Sequence, residues 1–376
     1  MRIAVCFNAV LNSLLQKRTI YCKNTEKRQN MNYIGSKYSI LDFITSSIEK
    51  TLALYGENRA PSDLVFADLM AGTGVVAGAF KKSGYSVIAN DNQYYSYVLL
   101  KNMLENGNEL TEQRRNELIA AINAAPEAEG FIYKNYSYAG TEGNEHRRMY
   151  FSDENAKKCD GARIFIENEF DSGKITEKEY YFLLASLINS ADKYANTASV
   201  YGAFLKSLKK SAQKPMVVTE CVPAEGENVG KAYNENVNEL IKKVSGDILY
   251  LDPPYNARQY CTNYHLLETL ARYDEPEIKG VTGLREYSAQ KSDFCVKGKV
   301  EQAFADIVKN ADFKYIFLSY NNEGLMSFND IEKIMSKAGK YKVYMREHRR
   351  FKADSARSAK ADATVEYLHC LIKDKK

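Results

Sequence analysis

The stretch from Asp247 through Ile248-Leu249-Tyr250-Leu251 to Asp252-Pro253-Pro254-Tyr255-Asn256 constrains this chain more than any other. Ile248 to Leu251 is a continuous apolar run, the pattern of a short strand covered on both faces in a parallel sheet. Two prolines then end it, because neither donates a backbone N–H, and they hold the exit extended and stiff. Asp252 and Tyr255 are thereby fixed beyond the carboxyl end of a strand, where open α/β sheets bind ligands. A carboxylate and a neighbouring carbonyl can accept both hydrogens of an exocyclic amine, while a ring beside them stacks on the flat base that carries it. The same residues also suit a plain Pro-Pro strand exit with a solvated aspartate. Four residues do not decide between the two.

Upstream, Leu64 to Asp68 reads as a second buried strand, followed by Leu69-Met70-Ala71-Gly72-Thr73-Gly74 and a helical run from Val75 to Lys82. Strand, glycine turn and helix let backbone N–H groups approach a ligand. A further strand, Tyr85 to Ala89, ends at Asn90-Asp91, and an acid there is placed to accept hydrogen bonds from both hydroxyls of a ribose. Gly72-x-Gly74-x-x-Ala77 with Asp91 also fits a dinucleotide fingerprint, so this unit implies an adenosine-type cofactor and no more. Before it, Asn32-Tyr33-Ile34-Gly35-Ser36-Lys37 is a turn into an amphipathic helix marked by Ile40, Ile44, Ile48 and Leu52. Lys37 puts a cation at the helix start, where it opposes the dipole, so it either serves an anion such as a ligand carboxylate or is a surface lysine.

With 376 residues, 45% hydrophobic and 27% charged, the chain has the composition of an ordinary globular protein with a substantial core. Lys+Arg 52 against Asp+Glu 48 leaves a net charge of +4, which permits nucleic-acid binding without demanding it. Basic residues gather at Lys206 to Lys214 and Arg346 to Lys360, either as phosphate contacts or as solvated faces. The seven cysteines are an odd number without a C-x-x-C pair, and the four histidines have no ligand spacing. A disulfide framework, a zinc site and a membrane span are therefore not expected, and a reducing cytoplasm is. Residues 1–30, with Lys17, Arg18, Lys23, Lys27 and Arg28, read as an extension without a signal-peptide cleavage site.

In the rest of the chain, helices are expected over Asn92 to Asn106 and from Thr111, as cap, to Ala125. Phe131 to Arg163 has little periodicity. Thr176-x-x-Glu179 is a capping box before the apolar helix Tyr180 to Asn189. Lys193 to Lys214 mixes small, polar, aromatic and basic residues, which suits a DNA-facing surface or an ordinary helix–loop boundary. A helix is expected over Asn234 to Val244, a loop over 275–295, a strand over Lys314 to Tyr320, and a helix after Ser327-x-x-Asp330. Tyr341 to Arg346 and Thr364 to Ile372 close the sheet as antiparallel strands.

Taken in order, the Gly35/Lys37 turn, the Asp68 to Asp91 unit and Asp252-Pro253-Pro254-Tyr255 resemble the Dam-like (DPPY) class of N6-adenine-specific DNA methyltransferases over about residues 31–372. Asp252 to Tyr260 with His265-Leu266-Leu267-Glu268 is similar, more narrowly, to FokI-type modification methylases. The resemblance implies an α/β, Rossmann-like S-adenosylmethionine-dependent methyltransferase sheet with an inserted, largely helical target-recognition region. The catalytic domain would comprise 31–125 and 232–376, and the insert 126–231. It implies a site-specific adenine-N6 enzyme acting on a flipped base in double-stranded DNA, the modification partner of a restriction endonuclease. Catalysis falls to Asp252, Pro253, Pro254 and Tyr255. S-adenosylmethionine binding falls to Tyr33, Lys37, Asp68, Gly72, Gly74, Asp91 and Asp252. Tyr33 departs from the tryptophan found in part of the class. No Pro-Cys nucleophile is present, so Cys261 reads as a core residue. An RNA adenine-N6 methyltransferase, N4-cytosine chemistry and a nicotinamide-dependent oxidoreductase stay open.

Overall fold

The computed structural model describes residues 31, 33–107, 109–226, 228, 230–349 and 363–373. Residues 32–376 form one compact unit, which holds every element named below. The proposed extension 1–30 and the basic segment Arg346 to Lys360 beyond Arg349 lie outside the described residues.

Seven strands make one sheet: β1 (Val65–Asp68), β2 (Ser86–Asn90), β3 (Lys231–Tyr233), β4 (Ser245–Leu251), β5 (Asp312–Asn321), β6 (Gly339–Arg349) and β7 (Ala363–Lys373). Their order is β3-β2-β1-β4-β5-β7-β6. The first five are parallel, and β7 runs antiparallel between β5 and β6. This is an open, mostly parallel α/β sheet closed at one edge by an antiparallel pair. From β1 the chain winds outward to β2 and β3, then returns to lay β4 and β5 on the other side. The strand order therefore reverses between β1 and β4, and the crevice beyond their carboxyl ends is the ligand position of such a sheet.

Alternation in β4 builds two cores at once. Ile248 and Tyr250 join Phe66, Val87 and Phe317 on one face, covered by α1 (Leu41–Leu54), α2 (Val75–Lys82) and α3 (Tyr94–Glu105). Leu249 and Leu251 join Ala67, Ile316 and Leu318 on the other, beneath α11 (Val300–Asn310) and α12 (Phe328–Ser336). The continuous apolar run is thus a strand buried from both sides.

Between α3 and β3 the chain forms α4 (Glu112–Ala124), α5 (Phe131–Tyr136), α6 (Asp153–Asp171) and α7 (Glu177–Tyr194). Capping starts two of these as expected: Thr111 accepts from Arg114 N, and Thr176 with Glu179 forms a complete capping box. Helix α7 is buried almost all round, through Phe182, Leu183, Leu184, Leu187 and Ile188, because it packs on α3, α4 and α6. The helix expected over Asn234 to Val244 contracts to α8 (Val237–Leu240), where Asn236 caps Asn238 N and one turn already buries Val237 and Leu240. After β4 come α9 (Tyr260–Asn263) and α10 (His265–Arg272). None of the helices among the described residues is long and apolar enough to cross a membrane.

Candidate functional site

A cleft of about 220 Å³ opens at the reversal point. It is lined by Tyr33, Lys37, Asp68, Gly72, Asp91, Asp252, Pro253, Pro254 and Tyr255, which come from the turn before α1, the ends of β1 and β2, and the exit of β4. Gly74 is not among the lining residues. It faces α3, where an added Cβ would meet Leu100 Cδ2 at 2.8 Å and Met103 Cε at 3.0 Å, and its φ of +76° ends the turn that starts α2. Gly72 also needs positive φ (+53°), and a Cβ there would stand 2.9 Å from the Tyr33 ring. That ring stacks on Tyr264 at 4.8 Å.

Asp91 is held by the backbone. Gly72 N donates to Oδ2 and Gln93 N to Oδ1, both at 2.9 Å. Burial nevertheless pushes its carboxyl up to about 6, against the lowering effect of those N–H groups. Asp68 is 1% exposed, and its Oδ1 has no hydrogen-bond partner among the described residues. Burial, reinforced by the Asp252 charge, raises its proton affinity well above the usual carboxylate range. Both groups are thus costly to ionise as they stand, and a ligand that donates hydrogen bonds or brings positive charge relieves them.

Asp252 is engaged on both oxygens. Lys37 Nζ lies 2.7 Å from Oδ2, and the Tyr255 hydroxyl donates to Oδ1 at 3.0 Å. Burial raises the Asp252 carboxyl, and Lys37 and Tyr255 oppose the rise. Lys37 is only 7% exposed and sits in a 3-10 turn ahead of α1. Its unfavourable position at a helix start therefore does serve an anion, and that anion is the Asp252 carboxylate. Its ammonium also lies 4.9 Å from the centre of the Tyr255 ring, a cation–π contact.

A family model described as D12 class N6 adenine-specific DNA methyltransferase matches residues 33–343. This chain belongs to that family. The type II methyltransferase M.NlaIII of Neisseria lactamica is 49% identical over 345 residues, 91% of this chain and 99% of that protein. M.CviAII of Paramecium bursaria Chlorella virus 1 is 36% identical over 338 residues, covering 90% and 97%. M.FokI of Planomicrobium okeanokoites is 39% identical over 356 residues, 92% of this chain but 53% of that protein. The chain thus spans nearly all of two relatives and about half of the third. Membership removes the nicotinamide, N4-cytosine and RNA readings.

The cofactor of a D12 methyltransferase is S-adenosylmethionine, and the cleft fits it. The molecule carries a sulfonium, an ammonium, a carboxylate and two ribose hydroxyls. The cleft offers the Asp68, Asp91, Glu235 and Asp252 carboxylates against one lysine. Each Asp91 oxygen has accepted one backbone bond and keeps a lone pair for a hydroxyl. The unpartnered Asp68 Oδ1 is the orphan acceptor that a cationic donor would satisfy.

Gln290, within the expected 275–295 loop, lines the same cleft. Asn92 Nδ2 donates to its carbonyl at 3.1 Å, and its side-chain amide donates to Glu268 at 2.6 Å. Glu268 also accepts from Tyr95 N at the start of α3. The loop is therefore pinned to the end of β2. In the sequence, only the His265-Leu266-Leu267-Glu268 similarity hints at this. Cys261 is 2% exposed and packs as a core residue.

Proposed function

We propose that this chain is the modification enzyme of a restriction–modification system, with Asp252, Pro253, Pro254 and Tyr255 as its catalytic residues. The observation that carries the assignment is the convergence of Asp68, Asp91 and Asp252, from three strand ends, on one cleft beside Lys37. When bound, S-adenosylmethionine supplies an electrophilic methyl group. Tyr33, Lys37, Asp68, Gly72, Asp91 and Asp252 would hold it, with Gly74 shaping the turn behind. Asp91 takes the ribose hydroxyls, and the Tyr33 ring closes over Gly72.

The target amine needs activation because the lone pair of adenine N6 is delocalised into the ring. Asp252 accepts one N6 hydrogen and the Pro253 carbonyl the other, which favours a pyramidal nitrogen with its lone pair directed out of the ring plane. The prolines keep these two acceptors at a fixed spacing, so no reorganisation is required at the moment of transfer. Tyr255 offers a face to the extruded base, offsetting part of the few kcal/mol that flipping costs. Lys37 opposes the rise that burial imposes on the Asp252 carboxyl and orients it.

Residues 126–231 supply target recognition in this reading. Lys206, Lys210 and Lys214 are exposed on the segment after α7. The triple alanine variant is expected to weaken duplex binding and to flatten the slope of log K against log salt by up to about 3. Fluorescence anisotropy across a salt series measures this, and an unchanged slope removes the segment from the interface. A cognate endonuclease and a cytoplasmic location belong to the same reading.

The direct test is to express the chain in cells lacking adenine methylation and sequence their DNA for modified bases. N6-methyladenine within one short sequence motif is the expected result. Unmodified duplex DNA from cells holding folded protein would refute it.

A further inference from the structure

Glu366 belongs to no motif, yet the sheet carries it toward the proposed catalytic residues. It stands opposite Asn321 in the β5–β7 register, one pleat beyond Leu368 opposite Ser319. Residues two apart share a face, so Glu366 lies on the Ser319 side of the sheet. The Ser319 hydroxyl is 3.3 Å from the Tyr255 hydroxyl, which in turn donates to Asp252. Among the described residues, Glu366 Oε2 is buried without a hydrogen-bond partner. Burial raises its carboxyl and the Asp252 charge raises it further, while the Lys37 ammonium and the Tyr255 hydroxyl oppose the rise.

A phenol has one proton to give. Asp252 and Glu366 therefore compete for the Tyr255 hydroxyl, and both face the Lys37 charge. We propose that Glu366 is a positioning residue for methyl transfer: by sharing the Tyr255 proton and the Lys37 charge, it frees Asp252 to accept the adenine amine and holds the Tyr255 ring in place. This rests on the proposed role of Asp252 at that amine. As the base arrives, the Tyr255 hydroxyl turns from Asp252 to Glu366, and no proton is gained or lost. A buried carboxylate with an open oxygen suits this role, because it is an acceptor held in reserve.

Among the described residues, the titratable groups facing Glu366 are few. Lys37 comes from the 3-10 turn, Asp252 and Tyr255 from the β4 exit, and Tyr250 from β4. Arg346 stands directly opposite on β6, but its guanidinium pairs with Asp42 at 2.7 Å. Removing the Glu366 charge therefore leaves Asp252 with less negative charge around it and makes it easier to ionise.

The test is steady-state transfer from labelled S-adenosylmethionine to unmethylated phage DNA, over a pH series, with the full chain. Glu366→Gln is expected to lower kcat roughly 10- to 100-fold, the range for a misplaced catalytic group. KM for both substrates and Tm should stay near wild type, and the acid limb of the profile should move to lower pH. Glu366→Asp, which keeps the charge, should recover part of the rate. A Gln variant with unchanged kcat and pH profile overturns the inference, as does a loss confined to KM or Tm. Asp252→Asn run alongside separates the two readings. If it is active, the site assignment itself fails; if it is inactive while Glu366→Gln behaves as wild type, only the role of Glu366 falls.

Discussion

Asp252→Ala is expected to lower the rate of methyl transfer by at least about 10³-fold, the upper range for deleting one preorganised polar group at a reacting centre. On the proposed role of Asp252, the variant loses the acceptor for one N6 hydrogen, and it also releases the two groups that Asp252 organises. Lys37 would lose the carboxylate 2.7 Å away, and the Tyr255 hydroxyl its acceptor at 3.0 Å. Leaving a buried cation alone destabilises by several kcal/mol in the worst case. Here two effects oppose that. Asp252 is itself strained by burial, so its removal relieves a penalty, and Glu366 remains within electrostatic reach of Lys37. The loss of stability should therefore be about 1–2 kcal/mol, a change of a few degrees in Tm. Circular dichroism melts beside a tritium-transfer assay separate the two quantities. A folded alanine variant that retains a tenth of wild-type activity would contradict the assigned chemistry.

The parts of this fold that can be read from the sequence are those in which apolar contrast does the specifying. Ile248–Leu251 and Tyr315–Tyr320 are apolar runs bounded by breakers, and both are central strands. Helix α6 escapes a sequence reading for the opposite reason. Its buried face is Asn155, Ala156, Cys159, Asp160, Gly161, Ala162, Arg163 and Ile166, small and polar residues with almost no apolar stripe. It is anchored by hydrogen bonds instead: Asp160 accepts from Ile132 N, Tyr133 N and the Tyr273 hydroxyl, and Arg163 donates to Leu270 O and Ala271 O. Such partners lie far away in the chain, where periodicity is blind. Ser152, which caps α6 by accepting from Asn155 N, and the acids Asp153 and Glu154 in its first turn are the local signals.

The site divides the same way. Asp68, Asp91 and Asp252 can be named because each follows a recognisable strand, and strand ends are where parallel sheets hold ligands. The Lys37–Asp252 pair, Gln290 and Glu366 cannot, since each depends on a register or loop path that only the folded chain defines. Gly74 shows the limit of motif spacing: its positive φ is required, but its missing side chain makes room for α3, not for the cleft.

Cofactor affinity should tighten as pH rises from 5 to about 6 and level off above. Asp91 has its carboxyl pushed up to about 6 by burial, from an ordinary value of 3.8. The sign is the reverse of the usual salt-bridged aspartate. Because the folded pKa is raised, the apo fold is favoured by the protonated acid and loses that advantage as pH climbs from 3.8 through 6. A shift of this size corresponds to about 3 kcal/mol. In the proposed binding mode the ribose hydroxyls donate to the ionised carboxylate and therefore select the form that burial disfavours. Binding then releases a proton below pH 6, and Kd should fall roughly tenfold per pH unit there. Asp68 and Asp252 also have raised carboxyls, so the dependence must be assigned by substitution. Asp91→Asn keeps the shape and removes the titration. It should bind S-adenosylmethionine about 10- to 100-fold more weakly at pH 7.5, consistent with losing charge-assisted hydrogen bonds, and with a shallower dependence between pH 5 and 6. Calorimetry in buffers of different ionisation enthalpy measures both Kd and the proton released. An Asn variant with wild-type affinity and the same proton release would move the ribose contact away from β2, and with it the orientation of the cofactor in the cleft.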